Sequence, residues 1–257
     1  MMKKRVGTDF YVASRRYTEY LHSTDRRAYE KYVASIDSLH PKNALDVGCG
    51  VGTAVGLLRA RGHEASGCDV SPMSIQSAQQ AYGPYFQVLA DPTGLPYGDA
   101  SFAAVGCINV LEHVDDPSRL LSEMCRVLSP DGALVIFSPN MLSLTWPRRR
   151  GAITNPWLIR LQNAVYLTAR ACGIPYPAIG EFVCVENAVD ESALAPDEDA
   201  ICLVNAFDLR RALRRRGFRV TEYSATQRFQ ANRLVDVLYR SPLGVVLGAV
   251  CVTARRV

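Results

Sequence analysis

The chain has 257 residues, of which 48% are hydrophobic and 21% are charged, and its formal net charge is +4. This composition excludes the low hydrophobicity and high charge of disordered chains, so we expect a folded, soluble protein. The basic residues do not form the stripe of Lys, Arg and aromatic side chains that is typical of nucleic-acid domains, and we expect no nucleic-acid partner.

The eight cysteines lack the regular spacing of a zinc site or a disulfide framework, and several lie inside apolar runs. We therefore expect reduced thiols and a cytoplasmic location. The first residues have no apolar stretch behind their basic start, which argues against a signal peptide. No run approaches the ~20 apolar residues of a membrane span, so no transmembrane segment is expected.

The first predicted unit is an N-terminal helical cap over residues 1–40, because residues 8–38 combine helical spacing with many tyrosines. Strands then alternate with helices. The strands are predicted at 43–47, 64–70, 85–90, 101–110 and 132–140, and the helices at 53–62, 72–82 and 115–128. Ser71 is the predicted N-cap of the second of these helices, with Pro72 at its first position. This alternation predicts an α/β fold with a parallel sheet that is covered on both faces.

The alternation fails between residues 140 and 205, a segment with both tryptophans, several prolines and one predicted helix at 156–172. Such a long irregular insertion is usually functional or mobile. A helix and a strand follow over 206–225, and a last apolar strand lies within 242–256. We predict a single domain over residues 1–257, with a helical cap and an insertion that shapes a substrate pocket.

The segment ALDVGCGVGT, residues 44–53, places Gly48, Gly50 and Gly52 directly after a predicted strand and before a helix. A turn of this kind brings backbone N–H groups and a helix N-terminus close to a ligand. Asp69 ends the next strand, where a carboxylate can accept hydrogen bonds from both ribose hydroxyls. The pattern predicts a nucleoside-containing ligand at the carboxyl ends of the strands. Thr53 stands where a dinucleotide loop has its third glycine, which weakens a dinucleotide interpretation.

Three segments together carry a resemblance to a known family: ALDVGCGVGT (44–53), GCDVS (67–71) and LADPTGLPYGDASFAAVGCINVLEHVDDPSRLLSEMCRVLSPDGALVIFSPN (89–140). They resemble class I S-adenosylmethionine-dependent methyltransferases, within the broad group that includes quinone-biosynthesis enzymes. The similarity covers residues 40–140 and resumes over 205–257. It implies a doubly wound, Rossmann-like mixed sheet of seven strands, in which the last strand runs antiparallel.

The resemblance also implies a cofactor, S-adenosyl-L-methionine, and a set of residues that bind it: Asp46, Gly48, Cys49, Gly50, Gly52, Asp69, Val70, Asp91, Pro92 and Asn109. Asp46 would hold the glycine loop and the ammonium end, and Asp69 the ribose hydroxyls. Asp91 would accept from the adenine amino group. Taken alone, Asp69 and Asp91 could each be a turn residue at a strand end.

The segment NVLEHVDD supplies the catalytic candidates, His113 and Glu112, which follow the fourth predicted strand. A base is optional in methyl transfer, but it helps when the acceptor is a protonated hydroxyl. The alternative is architectural, with Glu112 capping the next helix and His113 packing under the loop. The other histidines lie at 22, 40 and 63, so no metal site is expected.

The predicted reaction is transfer of a methyl group to oxygen, carbon or nitrogen of a small-molecule acceptor. The tyrosine-rich cap and the insertion at 140–205 are expected to shape the acceptor pocket. Five aromatic residues of the insertion are candidate pocket walls, or else parts of a satellite core: Trp146, Trp157, Tyr166, Tyr176 and Phe182. The apolar segment 157–174 could instead rest on a membrane surface or bind a lipid-linked acceptor. Two alternatives are a nicotinamide-dependent oxidoreductase and a non-catalytic module that binds S-adenosylmethionine. The oligomeric state is not predicted.

Overall fold

The computed structural model of the chain describes residues 4–5, 7–143, 155–172, 181–184, 188–189, 199–227 and 248–257. Trp146 and Tyr176, two of the predicted pocket walls, lie outside the described residues, as do several other parts of the predicted insertion. The prediction of a single domain therefore stays a prediction.

The described strands are β1 (Lys4–Arg5), β2 (Asn43–Val47), β3 (Glu64–Asp69), β4 (Phe86–Val88), β5 (Phe102–Ile108), β6 (Leu128–Pro139), β7 (Ala188–Val189), β8 (Phe218–Ser224) and β9 (Ala249–Arg256). Seven of them form one sheet in the order β4-β3-β2-β5-β6-β9-β8. Strand β9 runs antiparallel to both of its neighbours, β6 and β8. The predicted seven-stranded mixed sheet with an antiparallel last strand is confirmed.

The described helices are α1 (Thr8–Ala13), α2 (Arg15–Ser23), α3 (Arg27–Asp37), α4 (Thr53–Ala60), α5 (Pro72–Tyr82), α6 (Pro117–Val127), α7 (Pro156–Ala171) and α8 (Ala206–Arg215). The cap predicted over residues 8–38 consists of α1, α2 and α3, because Ser14 leaves the helical conformation and caps α2 by accepting from the Tyr17 N–H. Ser71 caps α5 as predicted, with Pro72 at its start.

Helices cover the sheet on both faces and divide its core into two clusters of buried residues. Helix α6 shows why: Leu120, Leu121 and Met124 are fully buried at helical spacing, while the opposite face of the helix meets solvent. Apolar side chains on one stripe of each helix must be buried against the sheet, which removes their area from water. The carboxyl ends of β2, β3 and β5 are thereby held at one edge.

The largest differences from the prediction concern three strands. Strand β6 begins at Leu128, which pairs with Phe102 of β5, so the strand starts four residues before the predicted residue 132. Strands β1 and β7 form a separate antiparallel pair that no sequence pattern indicated, since each has only two residues. Among the described residues, no helix combines the length and the hydropathy that crossing a membrane requires.

The expectation that the cysteines are reduced is wrong for one pair, because Cys184 and Cys202 form a disulfide. The two residues also pair as an isolated antiparallel bridge, which brings 181–184 beside the segment that begins at residue 199. The other six cysteines are free thiols, and Cys172 is the exposed one. A bridge between residues 18 positions apart is not visible in cysteine spacing alone.

Candidate functional site

A cleft lies at the carboxyl edge of the sheet, between the ends of β2, β3 and β5 and the cap helices α1 and α2. It comprises two adjoining cavities of about 570 and 770 Å³, open mouths included. The first, here the apolar cavity, is lined mainly by aliphatic side chains: Val47, Val70, Leu89, Pro92, Val110, Val114 and Leu120. The second, here the polar cavity, is bordered by Tyr20, Tyr29, Asp46, Cys49, Gly50 and Asp199. Both cavities share Tyr17, Gly48, Asp69, Asn109 and His113.

Four backbone N–H groups of the glycine loop, residues 48–52, make hydrogen bonds within the protein. The N–H groups of Gly48 and Cys49 both donate to the carbonyl of Cys68, and the N–H of Gly52 donates to Cys49. The N–H of Gly50 donates to Asp69 Oδ2 at 2.9 Å. These four donors are therefore engaged within the protein, contrary to the expectation that the loop offers free N–H groups to a ligand. A loop in this state is poorly suited to bind a pyrophosphate, which needs such donors.

Gly48 borders both cavities with a backbone φ of +70°, in the left-handed region. A Cβ at this position would collide with the Val110 side chain. The absence of a side chain at residue 48 thus leaves open space where the two cavities meet, and contact of Gly48 with a cofactor stays a prediction.

Asp69 lies at the end of β3 and faces both cavities. Its Oδ1 accepts from the Ser71 N–H at 2.8 Å, and its Oδ2 accepts from Gly50. Burial raises the pKa of Asp69, while the N–H donors of Ser71 and Gly50 oppose that rise by stabilising the carboxylate. Each carboxylate oxygen has a second lone pair, so Asp69 can accept further hydrogen bonds from a ligand.

Asp46 is buried beneath the polar cavity with one of its oxygens unpaired. Oδ1 accepts from the Tyr32 hydroxyl at 2.7 Å, whereas Oδ2 has no hydrogen-bond partner. Burial raises the pKa of this carboxyl to about 7, although the Tyr32 hydrogen bond lowers it. A buried acceptor without a partner is costly, so this site favours a ligand that brings a donor or a positive charge.

The raised pKa of Asp46 predicts a pH dependence of stability. Its pKa is about 7 in the folded protein against an ordinary value of 3.8. Between these values the folded state binds more protons than the unfolded state, so the free energy of unfolding falls as pH rises. Asp46→Asn removes this contribution. Denaturation at several pH values should therefore show wild type losing stability relative to Asp46→Asn as pH rises toward 7.

Tyr32→Phe provides the matched variant for this measurement. Removing the hydroxyl that lowers the Asp46 pKa should extend the loss of stability to higher pH. A wild-type and Asp46→Asn pair with parallel pH profiles would contradict the assignment of a proton to Asp46.

Acidic side chains line the cleft. Its lining contains the carboxyl groups of Asp46, Asp69 and Asp199, and no Lys or Arg lines either cavity within the described residues. Such a lining attracts a cation and repels a phosphate group. The charge therefore favours a positively charged nucleoside over a nicotinamide dinucleotide.

His113 takes part in a hydrogen-bonded chain with two residues that the sequence did not single out. The Tyr11 hydroxyl on α1 lies 3.0 Å from His113 Nδ1 and donates to Asp199 Oδ2 at 3.1 Å. Asp199 Oδ2 itself lies 3.8 Å from Nδ1. Burial and the Asp199 carboxylate raise the pKa of the Tyr11 hydroxyl, which therefore keeps its proton. No group of three or more His, Cys, Asp or Glu in the described residues has the arrangement of a metal site.

Nine of the twelve predicted site residues line the cavities: Asp46, Gly48, Cys49, Gly50, Asp69, Val70, Pro92, Asn109 and His113. Gly52 does not; it is the N-cap of α4, with φ +79°. Glu112 is fully buried, with Oε2 accepting from the Ser138 hydroxyl and Oε1 unpaired. The architectural alternative for Glu112 as a helix cap is wrong, because Asp116 caps α6.

Asp91 lies outside both cavities. Its Oδ1 accepts from the backbone and hydroxyl groups of Thr93, and its Oδ2 from Arg119 at 2.8 Å. Its side chain is 45% exposed. The Thr93 and Arg119 contacts hold the pKa of Asp91 below its ordinary value. This is the turn arrangement that the sequence left open, and a contact with adenine stays a prediction.

Of the five candidate wall residues, the three that lie within the described residues line neither cavity. Phe182 belongs to the main core, Tyr166 is buried and donates to Asp208, and Trp157 is 75% exposed. Their place as walls is taken by tyrosines of the cap, Tyr11, Tyr17, Tyr20 and Tyr29. The interpretation of Tyr166 and Phe182 as core residues is the correct one.

Asp199, in the described part of the insertion, lines the polar cavity, although the sequence analysis did not single it out. It was missed because the acidic run around it resembles a solvated loop. Ile201 and Cys202 donate backbone hydrogen bonds to the Glu112 carbonyl and so hold this segment beside the loop after β5. A contact between Tyr11 of α1 and an acid 188 residues away has no signature in local sequence.

Residues 45–136 match the protein family described as "Methyltransferase domain". Norajmaline N-methyltransferase of Rauvolfia serpentina is 39% identical over 108 residues, covering 39% of this chain and 37% of that protein. The O-methyltransferase resE of Aspergillus sclerotiorum is 36% identical over 110 residues, covering 40% and 42%. The chain therefore spans less than half of the length of these relatives.

Among solved structures, the fold resembles 1,6-didemethyltoxoflavin-N1-methyltransferase of Burkholderia thailandensis, crystallised with 1,6-didemethyltoxoflavin and S-adenosylhomocysteine. The TM-score is 0.57 at 16% identity, and the alignment covers 97% of this chain and 86% of that one. At this identity the likeness shows the fold.

Proposed function

Because residues 45–136 belong to the methyltransferase domain family, we propose that this chain is an S-adenosylmethionine-dependent methyltransferase that acts on a small molecule. The unpaired oxygen of Asp46, in a cleft that also contains the carboxyl groups of Asp69 and Asp199, is the observation that carries the proposal. The ligand has an ammonium group and a sulfonium, and both suit this lining. When bound, it supplies a methyl group that the sulfonium activates toward displacement.

In the proposed complex the ligand extends through both cavities. Asp46 accepts from the ammonium group in the polar cavity, where Gly48 and Gly50 leave room for the methionine part. Asp69 borders both cavities and accepts from the ribose hydroxyls. Val70 and Pro92 enclose the adenine ring in the apolar cavity. Burying a flat apolar ring against such side chains contributes favourably at about 25 cal/mol per Å² of apolar area.

Asn109 lies where the two cavities meet, and in the proposed complex it contacts the methionine part of the ligand. It adopts a positive φ of 55°, and its Oδ1 accepts from Gln227 at 2.6 Å. The acceptor enters through the polar cavity, where it meets His113 and the tyrosines of the cap. The relatives include both an N-methyltransferase and an O-methyltransferase, which supports a small-molecule acceptor without selecting its reacting atom.

Calorimetry tests the proposal directly. We expect S-adenosylmethionine and its demethylated product to bind with micromolar dissociation constants, and nicotinamide dinucleotides to show no binding. The reason is the cleft, which has three carboxyl groups and, among the described residues that line it, no Lys or Arg to receive a pyrophosphate. Tight binding of a nicotinamide cofactor would overturn the proposal and favour an oxidoreductase.

Turnover separates an enzyme from a binding module. The protein is incubated with S-adenosylmethionine carrying a labelled methyl group and with a metabolite extract as the source of acceptors. Transfer of label to a small molecule is the expected outcome. Binding of the cofactor with no transfer to any fraction would instead indicate a module without catalysis.

A further inference from the structure

We propose that the acceptor is a hydroxyl compound, that His113 takes the hydroxyl proton at Nε2, and that Tyr11 and Asp199 position His113 by holding the other ring proton on Nδ1. This inference deepens the proposed function and rests on it. It assigns Tyr11 and Asp199 as positioning residues.

The direction of the hydrogen bonds fixes the tautomer. A carboxylate oxygen can only accept, so the Tyr11 hydroxyl hydrogen points to Asp199 Oδ2 at 3.1 Å. The Tyr11 oxygen can then only accept from His113 Nδ1, which lies 3.0 Å away. Neutral imidazole has one N–H, so a proton on Nδ1 leaves a free lone pair on Nε2. The chain of contacts thus prepares Nε2 as the proton acceptor.

The other ring nitrogen of His113, Nε2, belongs to a side chain that lines both cavities. Nε2 makes no hydrogen bond within the described residues, and its neighbour Glu112 Oε1 is 3.7 Å away, beyond hydrogen-bond distance. Glu112 Oε1 is also the second buried oxygen without a partner. Glu112 is fully buried and lines neither cavity, so among these groups His113 is the one that a ligand in the cleft can meet.

The balance of the reaction points to an O–H acceptor. The acceptor oxygen uses one electron pair to form the new C–O bond. The carbon–sulfur bond breaks, and its electron pair stays on sulfur, which becomes a neutral thioether. The hydroxyl proton moves to His113 Nε2 and later leaves to solvent. A neutral amine already has a free electron pair and needs no base before attack, whereas a hydroxyl that is protonated at neutral pH does.

A nuclear magnetic resonance experiment on the protein without ligand tests the positioning role apart from activity. The chain contains four histidines, and His113→Gln identifies the signals of residue 113 in a ¹⁵N-histidine sample. We expect neutral His113 to carry its proton on Nδ1. Tyr11→Phe should shift the population toward the Nε2–H tautomer, because the acceptor of the Nδ1 hydrogen bond is lost. Asp199→Asn should do so as well, since the hydroxyl no longer meets a carboxylate.

Two controls keep the experiment decisive. Tyr17→Phe makes the same chemical change in the same cleft, and the Tyr17 hydroxyl has no hydrogen bond to His113, so the tautomer should not change. His63, which pairs with Asp37 at 2.6 Å far from the cleft, reports that each variant is folded. A proton on Nε2 in the wild type overturns the proposal. So does a tautomer that neither Tyr11→Phe nor Asp199→Asn changes while His63 is unperturbed.

Kinetics with labelled S-adenosylmethionine and a metabolite extract tests the chemical class. The labelled product should be a methyl ether, and a product methylated only at nitrogen or carbon overturns the hydroxyl assignment. His113→Gln should lower kcat by about 10²- to 10⁴-fold, and the two positioning variants by less, with little change in KM for the cofactor. Normal cofactor binding by His113→Gln in calorimetry separates failure of this inference from failure of the proposed function.

Discussion

Replacing Asp69 with alanine should weaken the binding of S-adenosylmethionine by about 10- to 100-fold, which corresponds to about 1.4–3 kcal/mol. The side chain ends β3 at the point where the two cavities meet, and both of its oxygens are already oriented by Ser71 and Gly50. In the proposed complex these oxygens accept from two ribose hydroxyls. Hydrogen bonds to a charged acceptor are the stronger kind, so their loss dominates the effect.

Calorimetry with Asp69→Ala, Asp69→Asn and Asp99→Ala separates this role from general damage. Asp69→Asn keeps one oxygen acceptor and should fall between wild type and the alanine variant. Asp99 is an exposed aspartate that bonds to Arg126 away from the cleft, and its replacement should leave binding unchanged. Equal affinities for Asp69→Ala and wild type would remove Asp69 from the binding site.

Asp91→Ala in the same titration decides the open question about the second strand-end acid. If Asp91 accepts from the adenine amino group, its loss weakens binding despite its position beside Arg119. Unchanged binding would leave Asp91 with the structural role that its contacts to Thr93 already show.

Replacing Gly52 with alanine should lower the free energy of unfolding by about 2–5 kcal/mol. The residue has φ +79°, which costs an L-residue about 1–2 kcal/mol. Its Cβ would also lie 2.7 Å from the Phe86 ring and 2.9 Å from the Ala78 methyl group. Relieving such overlap in a packed core costs about 1–3 kcal/mol more.

Gly62→Ala is the matched control for this measurement. Gly62 also has a positive φ, of 92°, but a Cβ there would meet nothing within 4 Å. Urea denaturation should therefore show a loss of about 1–2 kcal/mol for Gly62→Ala, from the backbone conformation alone. Equal losses for the two variants would contradict the packing argument at Gly52. Gly52 packs against Ala78 of α5 and Phe86 of β4 at the start of α4 and lines neither cavity.

Much of the fold was predictable because its signals are local. The strand at 43–47 matches β2 residue for residue, and the cap of α5 at Ser71 follows from a serine before a proline. Hydrophobic periodicity fixes which face of each element is buried, so the alternation of strands and helices could be recognised along the chain. Once the strands were recognised, the candidate site residues at the carboxyl ends of β2, β3 and β5 could be named as well.

Which side chains line the cleft was less predictable, because the cleft is formed by parts of the chain that are distant in sequence. Asp91 has the sequence context of a ligand, yet Arg119 and Thr93 already engage its carboxyl group. Glu112 follows a strand end like the other acids, yet its side chain is entirely buried. Neither outcome is contained in spacing along the chain, since each depends on what packs above the residue.

The sequence by itself determined the glycine turn, the acids at the ends of successive strands and the helical cap, because each depends on neighbouring residues and on backbone conformations that only certain side chains allow. The tertiary structure alone decided that β9 inserts between β6 and β8. It also decided that Tyr11 and Asp199 meet at His113. The physical reason is that long-range packing selects these pairings, and the free energy of such contacts is shared among residues that no local pattern connects.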